Sequence, residues 1–557
     1  MRSDQQQAIN RLAGTSATAF LCAVLCVYPL YIDKFSNLGV TKFTGCFTLF
    51  LLFLLWLVAC TAIGARAPRP RNANAGRDVT LWGVLAFAGT SLISTFISLS
   101  PTASTWGLGG YYGGLMLVLF TAAGYWAVRS YLDLENLDFV FWVLGITTSI
   151  VAVLYVLNIF NIDLIGAYAD TAVVERAQFF STLGQKDFNG CFFSVALPIV
   201  FYQFLNAKDT RTAVWTGIPA AFGALALAVV DSEALALGIG AAVMVLICHK
   251  NFTTRHLRRA ALISAAFFGW AAWMHYMRAS VYTQGGTALL AKLGAWQVAL
   301  PCMAASLLLW LVLARKGIAA QAPLYLPGRV ITIAVLAVGA LAFVLANAMP
   351  NLPLPESLHN LLVFNDDWGT YRGVAWRAAF GTWADGSLLR KIVGIGPGMM
   401  HTAVAAWAGD AMTARMATFY AAHNEYLEQL LTTGILGLAA WLLLVAAHLR
   451  RGERSWNTPG VAPVMLALCS YLAQAVVSIR VSMVFPLVML LFGALAALTA
   501  PELPQPAAPA PRGKKQQKPE PLPPKNAWYF AKTVLAAVLC MAAASGIAPL
   551  LFGFLMG

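Results

Sequence analysis

Apolar runs of about 20 residues recur along the whole chain, and short polar stretches between them hold most of the charges. A run of that length crosses a bilayer as a helix. A β-barrel would alternate apolar and polar positions instead. The pattern predicts an all-α polytopic membrane protein with 14–15 transmembrane helices. The spans read at 16–32, 44–64, 79–99, 111–128, 138–160, 189–206, 213–230, 234–248, 260–277, 288–313, 330–348, 427–448, 461–479, 483–499 and 531–554. The run at 234–248 is short and interrupted by glycine. The first run has no convincing cleavage site and many spans follow it, so it reads as a retained helix and not a signal peptide. Three regions result: a multi-span domain at 1–500, a Pro/Lys-rich linker at 501–526, and a final helix within 527–557. The linker reads as extended and cytoplasmic. The last helix either packs on the bundle or serves as an anchor.

Composition agrees with this pattern. Of 557 residues, 59% are hydrophobic and 11% charged, against about 25% charged in soluble domains. That excludes a water-soluble enzyme, a secreted disulfide scaffold and a disordered chain. Nine cysteines fall in or beside the apolar runs without a CxxC pair, so neither a metal cluster nor a disulfide framework is indicated. The net charge of +14 sorts by side. With the N-terminus in the cytoplasm, the inner side carries 25 Lys/Arg and 9 Asp/Glu, and the outer side 12 and 14. The inside is therefore +16 and the outside −2, as the positive-inside rule requires. Scattered in this way, the basic residues do not point to nucleic acid. The partner they imply is the lipid bilayer of the cell membrane.

Two outer loops are longer than connectors need to be, 161–188 and 349–422. The second contains helix-like stretches and the basic residues Arg372, Arg377, Arg390, Lys391 and Arg415. In DWGTYRGVAWRAAFGTWADGSLLRKIVGIGPGMM, residues 371–383 fit an amphipathic helix with Arg372, Trp376 and Ala379 on one face, ended by the GIGPG turn at 394–398. Such a helix also suits a plain interfacial role, with tryptophans at headgroup level and arginines snorkelling to phosphates. In AAHNEYLEQLLTTGILGL, His423 stands directly before a membrane helix, beside Asn424 and Glu425. An imidazole there can accept a proton near neutral pH. The same residues equally suit a helix start, with Asn424 as N-cap and acids in the first turn. Arg480, in the outer turn VSIRVS, reads as a headgroup ligand or a snorkelling anchor. No metal site is expected: His359, His401 and His423 lack ligand spacing, and Asp366–Asp367 reads as a solvated loop.

The arginine–tryptophan helix, the Gly-Pro-Gly turn and HNEYLEQLLTTGILGL together resemble the O-antigen ligase and polymerase superfamily, which includes bacterial protein O-oligosaccharyltransferases. The matching positions are Arg372, Trp376, Gly396–Gly398, His423, Asn424, Tyr426, Leu427, Gly434 and Gly437. STLGQKDFNGCFFSVALP is similar to a further segment of that family, with Asn189 at its asparagine and Arg176 upstream, and WGLGGYYGG resembles its Gly-rich outer loop. The resemblance covers roughly residues 20–500. One departure stands out: DSEALAL at 231–237 places Glu233 where many ligases have an arginine, and an acid cannot grip a phosphate.

The resemblance implies a GT-C-like architecture and a metal-independent, inverting glycosyltransferase without a cofactor. It would move a glycan from an undecaprenyl diphosphate donor to a hydroxyl on a glycan, lipid or protein acceptor, on the extracytoplasmic face. His423, Arg372 and Arg176 would be catalytic. Arg377, Lys186, Asn189, Asn424, Glu425, Tyr426, Trp376 and Arg480 would bind donor or acceptor, with Glu425 a competing base. The nearly complete His-Asn-x-Tyr-Leu segment favours a ligase over a repeat-unit polymerase. A lipid-linked glycan flippase is the alternative of another class, supported only by Lys292 and Asp231–Glu233 near span ends.

Overall fold

The computed structural model describes residues 3–66, 78–108, 110–280, 289–315, 319, 321–349, 352–404, 407, 420–500 and 527–556. Every one of the fifteen apolar segments contains a helix: α1 (Ser3–Cys22), α2 (Leu38–Ala62), α3 (Val79–Phe96), α4 (Leu115–Tyr131), α5 (Leu137–Ile159), α6 (Lys186–Leu205), α7 (Thr210–Val229), α8 (Glu233–Cys248), α9 (Thr254–Ser280), α10 (Trp296–Leu313), α11 (Tyr325–Ala348), α12 (Glu425–Arg454), α13 (Val461–Gln474), α14 (Phe485–Leu498) and α15 (Ala527–Met556). The fold is that of an all-α, multi-pass membrane protein.

Among the described residues, ten helices are long and apolar enough to cross a membrane, against the 14–15 expected. Helices α8, α13 and α14 are shorter apolar helices, α4 has 17 residues, and α9 carries arginines at both ends. The shortfall at α13 and α14 has a physical reason. The chain does not turn tightly at 480–482 but leaves helix at Gln474 and resumes it at Phe485, and Ile479, Val481, Met483 and Val484 are buried. Irregular backbone at membrane depth is tolerated where protein covers it.

A second break opens the end of α1. Pro29 lacks an N–H, and its ring crowds the preceding turn, so the helix passes into a π turn at Ala23–Val27 and a 3₁₀ turn at Tyr28–Leu30. The carbonyls here find side-chain donors. Thr147 Oγ1 donates to Cys26 (2.9 Å), the buried Lys42 ammonium to Tyr28 (3.0 Å) and Pro29 (2.9 Å), and Thr182 Oγ1 also to Pro29 (2.7 Å). Thr182 belongs to the 161–188 loop, so the break also anchors that loop.

Helix α15 packs on the bundle. The Tyr529 hydroxyl meets Asn136 Nδ2 (2.9 Å) and Thr15 Oγ1 (3.2 Å), and Phe552 sits among Phe43, Phe47 and Trp106. The linker at 501–526 lies outside the described residues.

The 349–422 loop contains helices Glu356–Leu362, Trp368–Ala384 and Leu388–Val393; Arg415 lies outside the described residues. Its own small core, including Val374, Ala375, Ala378, Ile395 and Met400, reaches Leu431 on α12. The GIGPG turn then docks on a break in α12. Gly434 (φ 69°, ψ −171°) interrupts that helix, and the Thr432 carbonyl accepts from Gly396 N (2.9 Å) and Ser94 Oγ (2.6 Å). Two glycines let the backbones approach. A Cβ on Gly394 would lie 2.2 Å from the Thr432 carbonyl oxygen, and one on Gly434 would lie 2.2 Å from that of Ile392. Both have positive φ.

Gly394→Ala and Gly434→Ala should each destabilise the protein by at least about 1–3 kcal/mol from the left-handed backbone alone, with the clash in addition. A lower Tm in detergent checks this. Gly240→Ala, inside α8 where an added methyl meets nothing within 4 Å, should not lower Tm and should raise it slightly.

Candidate functional site

The chain enters α12 through Ala422–His423–Asn424. Asn424 caps the helix, its Oδ1 accepting from the N–H groups of Tyr426 and Leu427 (3.0 Å each). His423 just before it is left-handed, φ 50°, a sparsely populated conformation of the kind that clusters at functional sites. Burial and then the nearby Arg372 guanidinium push its imidazole down to about 4, with the Asp187 carboxylate pulling the other way. His423 is therefore neutral at pH 7.

Arg372 reaches His423 from the long loop. Its right-handed helix runs from about residue 372 to Ala384, close to the expected 371–383, and the turn that leads into it is unusual: Gly369, Thr370 and Tyr371 are all left-handed, with φ of 59°, 61° and 69°. A left-handed turn of non-glycine residues is strained, and Thr370 is β-branched. Arg372 Nη1 donates to the Gly369 carbonyl (2.8 Å), while Nε is buried without a hydrogen-bond partner. Trp376, one turn on, packs edge-on against Trp368 and near Phe364, and its Nε1 is also buried and unpartnered. Unsatisfied buried donors are costly and call for an explanation; an incoming anion or hydroxyl would satisfy them.

Asp187 links this pair to the ends of α6 and α8. It accepts from Ser232 Oγ (2.9 Å), while its neighbour Lys186 pairs with Asp231 (3.8 Å). Asp231 also acts on Arg278 at the end of α9, whose Nε and Nη2 are buried without partners. Glu233, the departure noted above, is exposed. Asp187 and Arg278 escaped sequence reading, and Asp231 was read only as a charge near a span end. Asp187 stands inside the quoted STLGQKDFNG segment and Arg278 closes an apolar run, but only the fold brings either to the site.

Several expected ligands are engaged elsewhere. Asn189 is fully buried: Oδ1 accepts from Ser181 Oγ (2.6 Å), and Nδ2 donates to the carbonyls of Gly184 (2.9 Å), Gln185 (3.1 Å) and Phe180 (3.2 Å). It shapes the 180–185 turn instead of touching a donor. Asn424 is the cap, and the Tyr426 hydroxyl donates to the Leu472 carbonyl (2.8 Å), tying α12 to α13. Arg377 pairs with Asp366 and is largely exposed. Arg176 lies over the Tyr168 ring with Nε near the Thr171 carbonyl (3.5 Å), on the 173–178 turn. The charges acting on His423 are those of Arg372 and Asp187.

Glu425 and Arg480 differ most from expectation. Arg480 does not snorkel. Carried by the irregular 475–484 segment, its guanidinium lies among the Phe485, Phe87 and Trp441 rings (4.7, 5.4 and 5.5 Å). It donates to Gln429 Oε1 (2.9 Å) and Glu425 Oε2 (3.4 Å). Glu425 is buried, and its Oε1 accepts from the Tyr471 hydroxyl (2.5 Å). A carboxylate held in this way neutralises a buried cation and is not poised as a competing base.

An aromatic edge borders the loop end of the bundle. Tyr111 approaches Tyr420 (5.9 Å) and Phe188 (6.2 Å), and His401 stacks on Tyr420 (4.5 Å). Among the described residues no group of three or more His, Cys, Asp or Glu side chains is placed to hold a metal ion. No protein-family model and no curated protein matches the chain.

Glu425→Gln should leave the Arg480 charge uncompensated and destabilise the protein by about 3–5 kcal/mol. The double variant Glu425→Leu/Arg480→Met should recover much of that loss, because it removes the buried charge together with its partner. Thermal unfolding of the three proteins in one detergent reads both effects.

Proposed function

We propose that this chain is an O-antigen ligase-like glycosyltransferase of GT-C-like architecture. It transfers a glycan from a polyprenyl diphosphate, such as undecaprenyl diphosphate, to an acceptor hydroxyl. The N-terminus lies in the cytoplasm, and the reaction takes place on the outer face of the cell membrane. The observation that carries this reading is the pairing of a half-buried, neutral His423 with Arg372, whose Nε has no partner.

The two groups divide the chemistry. Attack by the acceptor oxygen on the anomeric carbon breaks the sugar–phosphate bond, and the bonding electrons leave with the diphosphate. Negative charge therefore grows on the leaving group, where Arg372 stabilises the transition state more than the ground state. The acceptor's proton goes to His423, and attack opposite the leaving group inverts the anomeric centre. A base held near 4 is weak, but the donor's negative charge beside Arg372 offsets the repulsion that lowers it. Donor binding thereby raises the basicity of His423 when it is needed. Tyr111, Tyr420 and Phe188 supply aromatic faces for sugar rings, and Arg278 supplies a cation near the position where Glu233 cannot.

Reconstitution with a synthetic undecaprenyl diphosphate glycan tests the reading through release of the lipid diphosphate. His423→Ala should lower turnover about 10²–10⁴-fold and Arg372→Ala about 10²–10³-fold. Full turnover in both variants would refute the assignment. Single transfers identify a ligase and product ladders a polymerase; labelled lipid crossing the bilayer without cleavage would establish a flippase instead.

The pH profile supplies a second prediction. Protonated imidazole cannot accept a proton, and kcat/KM reports the free enzyme. The acid limb of kcat/KM should therefore fall near pH 4, the region of the depressed His423 value. A limb near the ordinary histidine value of about 6.5 would contradict the arrangement.

A further inference from the structure

The bundle's opposite end holds a cavity of about 840 Å³, a size suited to a small ligand or a headgroup. It lies where α5, α6, α7, α9 and α13 meet their connecting turns. Trp142, Tyr202 and Trp456 form part of its wall, and Lys208, Lys250 and Arg255 supply its positive charge. This side carried the excess of basic residues in the topology derived from charge.

Lys208, Lys250 and Arg255 outnumber the carboxylates Asp138 and Asp209 in the lining, and both acids are engaged at helix starts. Asp209 lines it too, but both its carboxylate oxygens accept from Thr212, the backbone N–H and the hydroxyl (2.9 Å each), as the cap of α7. Asp138 lies in the first turn of α5, where its charge meets that helix's positive end. The starts of α9 and α13 also face the cavity, through Thr253 and Gly460. Neither helix has an acid in its first turn, and Gly460 gives α13 no side-chain cap. Arg255 donates through Nη2 to Asn206 Oδ1 (3.1 Å), and its Nε is buried without a partner. Lys208 and Lys250 are exposed, and no ion pair engages either among the described residues.

Cations, the start of α13 without a side-chain cap and an unpartnered guanidinium nitrogen together call for an oxygen anion. Tryptophan and tyrosine at helix ends are typical of headgroup depth. We propose that this cavity binds the phosphate of an anionic phospholipid headgroup. Basic pockets between helix ends on the cytoplasmic side recognise lipids of this charge. The site is far from His423 and independent of the transferase reading.

The test uses the full chain in a neutral detergent with added short-chain phosphatidylglycerol, phosphatidylcholine or inorganic pyrophosphate. Phosphatidylglycerol should raise Tm, and phosphatidylcholine should not. Each neutralisation, Lys208→Gln, Lys250→Gln or Arg255→Gln, should weaken phosphatidylglycerol binding about fivefold, from roughly 1 kcal/mol per charge near a surface. The exposed lysine variants keep the test open if Arg255→Gln fails to fold, and Lys208→Arg/Lys250→Arg should bind like wild type. Unchanged binding in the neutralised variants overturns the proposal. Equal protection by pyrophosphate overturns the lipid assignment in favour of a soluble anion.

Discussion

One backbone carbonyl organises the loop end of this molecule. The break at Gly434 leaves the Thr432 oxygen open to donors from outside α12, and Gly396 from the long loop and Ser94 from α3 take that place. A loop of more than seventy residues has many conformations to lose. Seating its turn in the break fixes the loop at 394–398 against α3 and α12. The small core around Val374 and Met400 then holds the 368–384 helix over the start of α12, which brings Arg372 within the electrostatic reach of His423.

The same end contains two layers of charge with different jobs. Deeper in the bundle, Glu425, Arg480, Gln429 and Tyr471 satisfy one another among aromatic rings. A buried pair of this kind contributes little net stability against a hydrophobic substitute, but either partner left alone is costly. Its effect is positional, joining α12 to the irregular segment before α14. Nearer the loops the balance is incomplete. Arg372, Trp376 and Arg278 keep buried nitrogens without partners, and His423 and Thr370 occupy left-handed backbone. Unmet donors and backbone strain of this kind cluster at functional sites.

How much of this was legible in the sequence depends on the range of the interaction. The positions of the fifteen apolar helices follow from hydropathy, and the Asn424 cap follows from purely local chemistry. The Arg372 helix was visible from its spacing, but not the left-handed turn that begins it. Hydropathy is blind to backbone direction, so the π turn before Pro29 read as continuous span, and the non-helical 475–484 segment read as two span ends joined by a short outer turn. That is why Arg480 looked like a surface anchor when it is enclosed. Asn189 looked like a ligand because a motif position does not say whether its amide is already engaged. Asp187 and Arg278 became visible only when the ends of α6, α8 and α9 were brought together.

The central claim is that Arg372 and His423 form one electrostatic unit, made to be completed by a diphosphate. Histidine C2 hydrogen–deuterium exchange, followed by mass spectrometry across pH, measures the protonation of His423 directly. The account predicts a midpoint near 4 in the free protein. That midpoint should move upward when a short-chain polyprenyl diphosphate is added, and not in Arg372→Gln. A midpoint near the ordinary value of about 6.5 that the diphosphate leaves unchanged would contradict it.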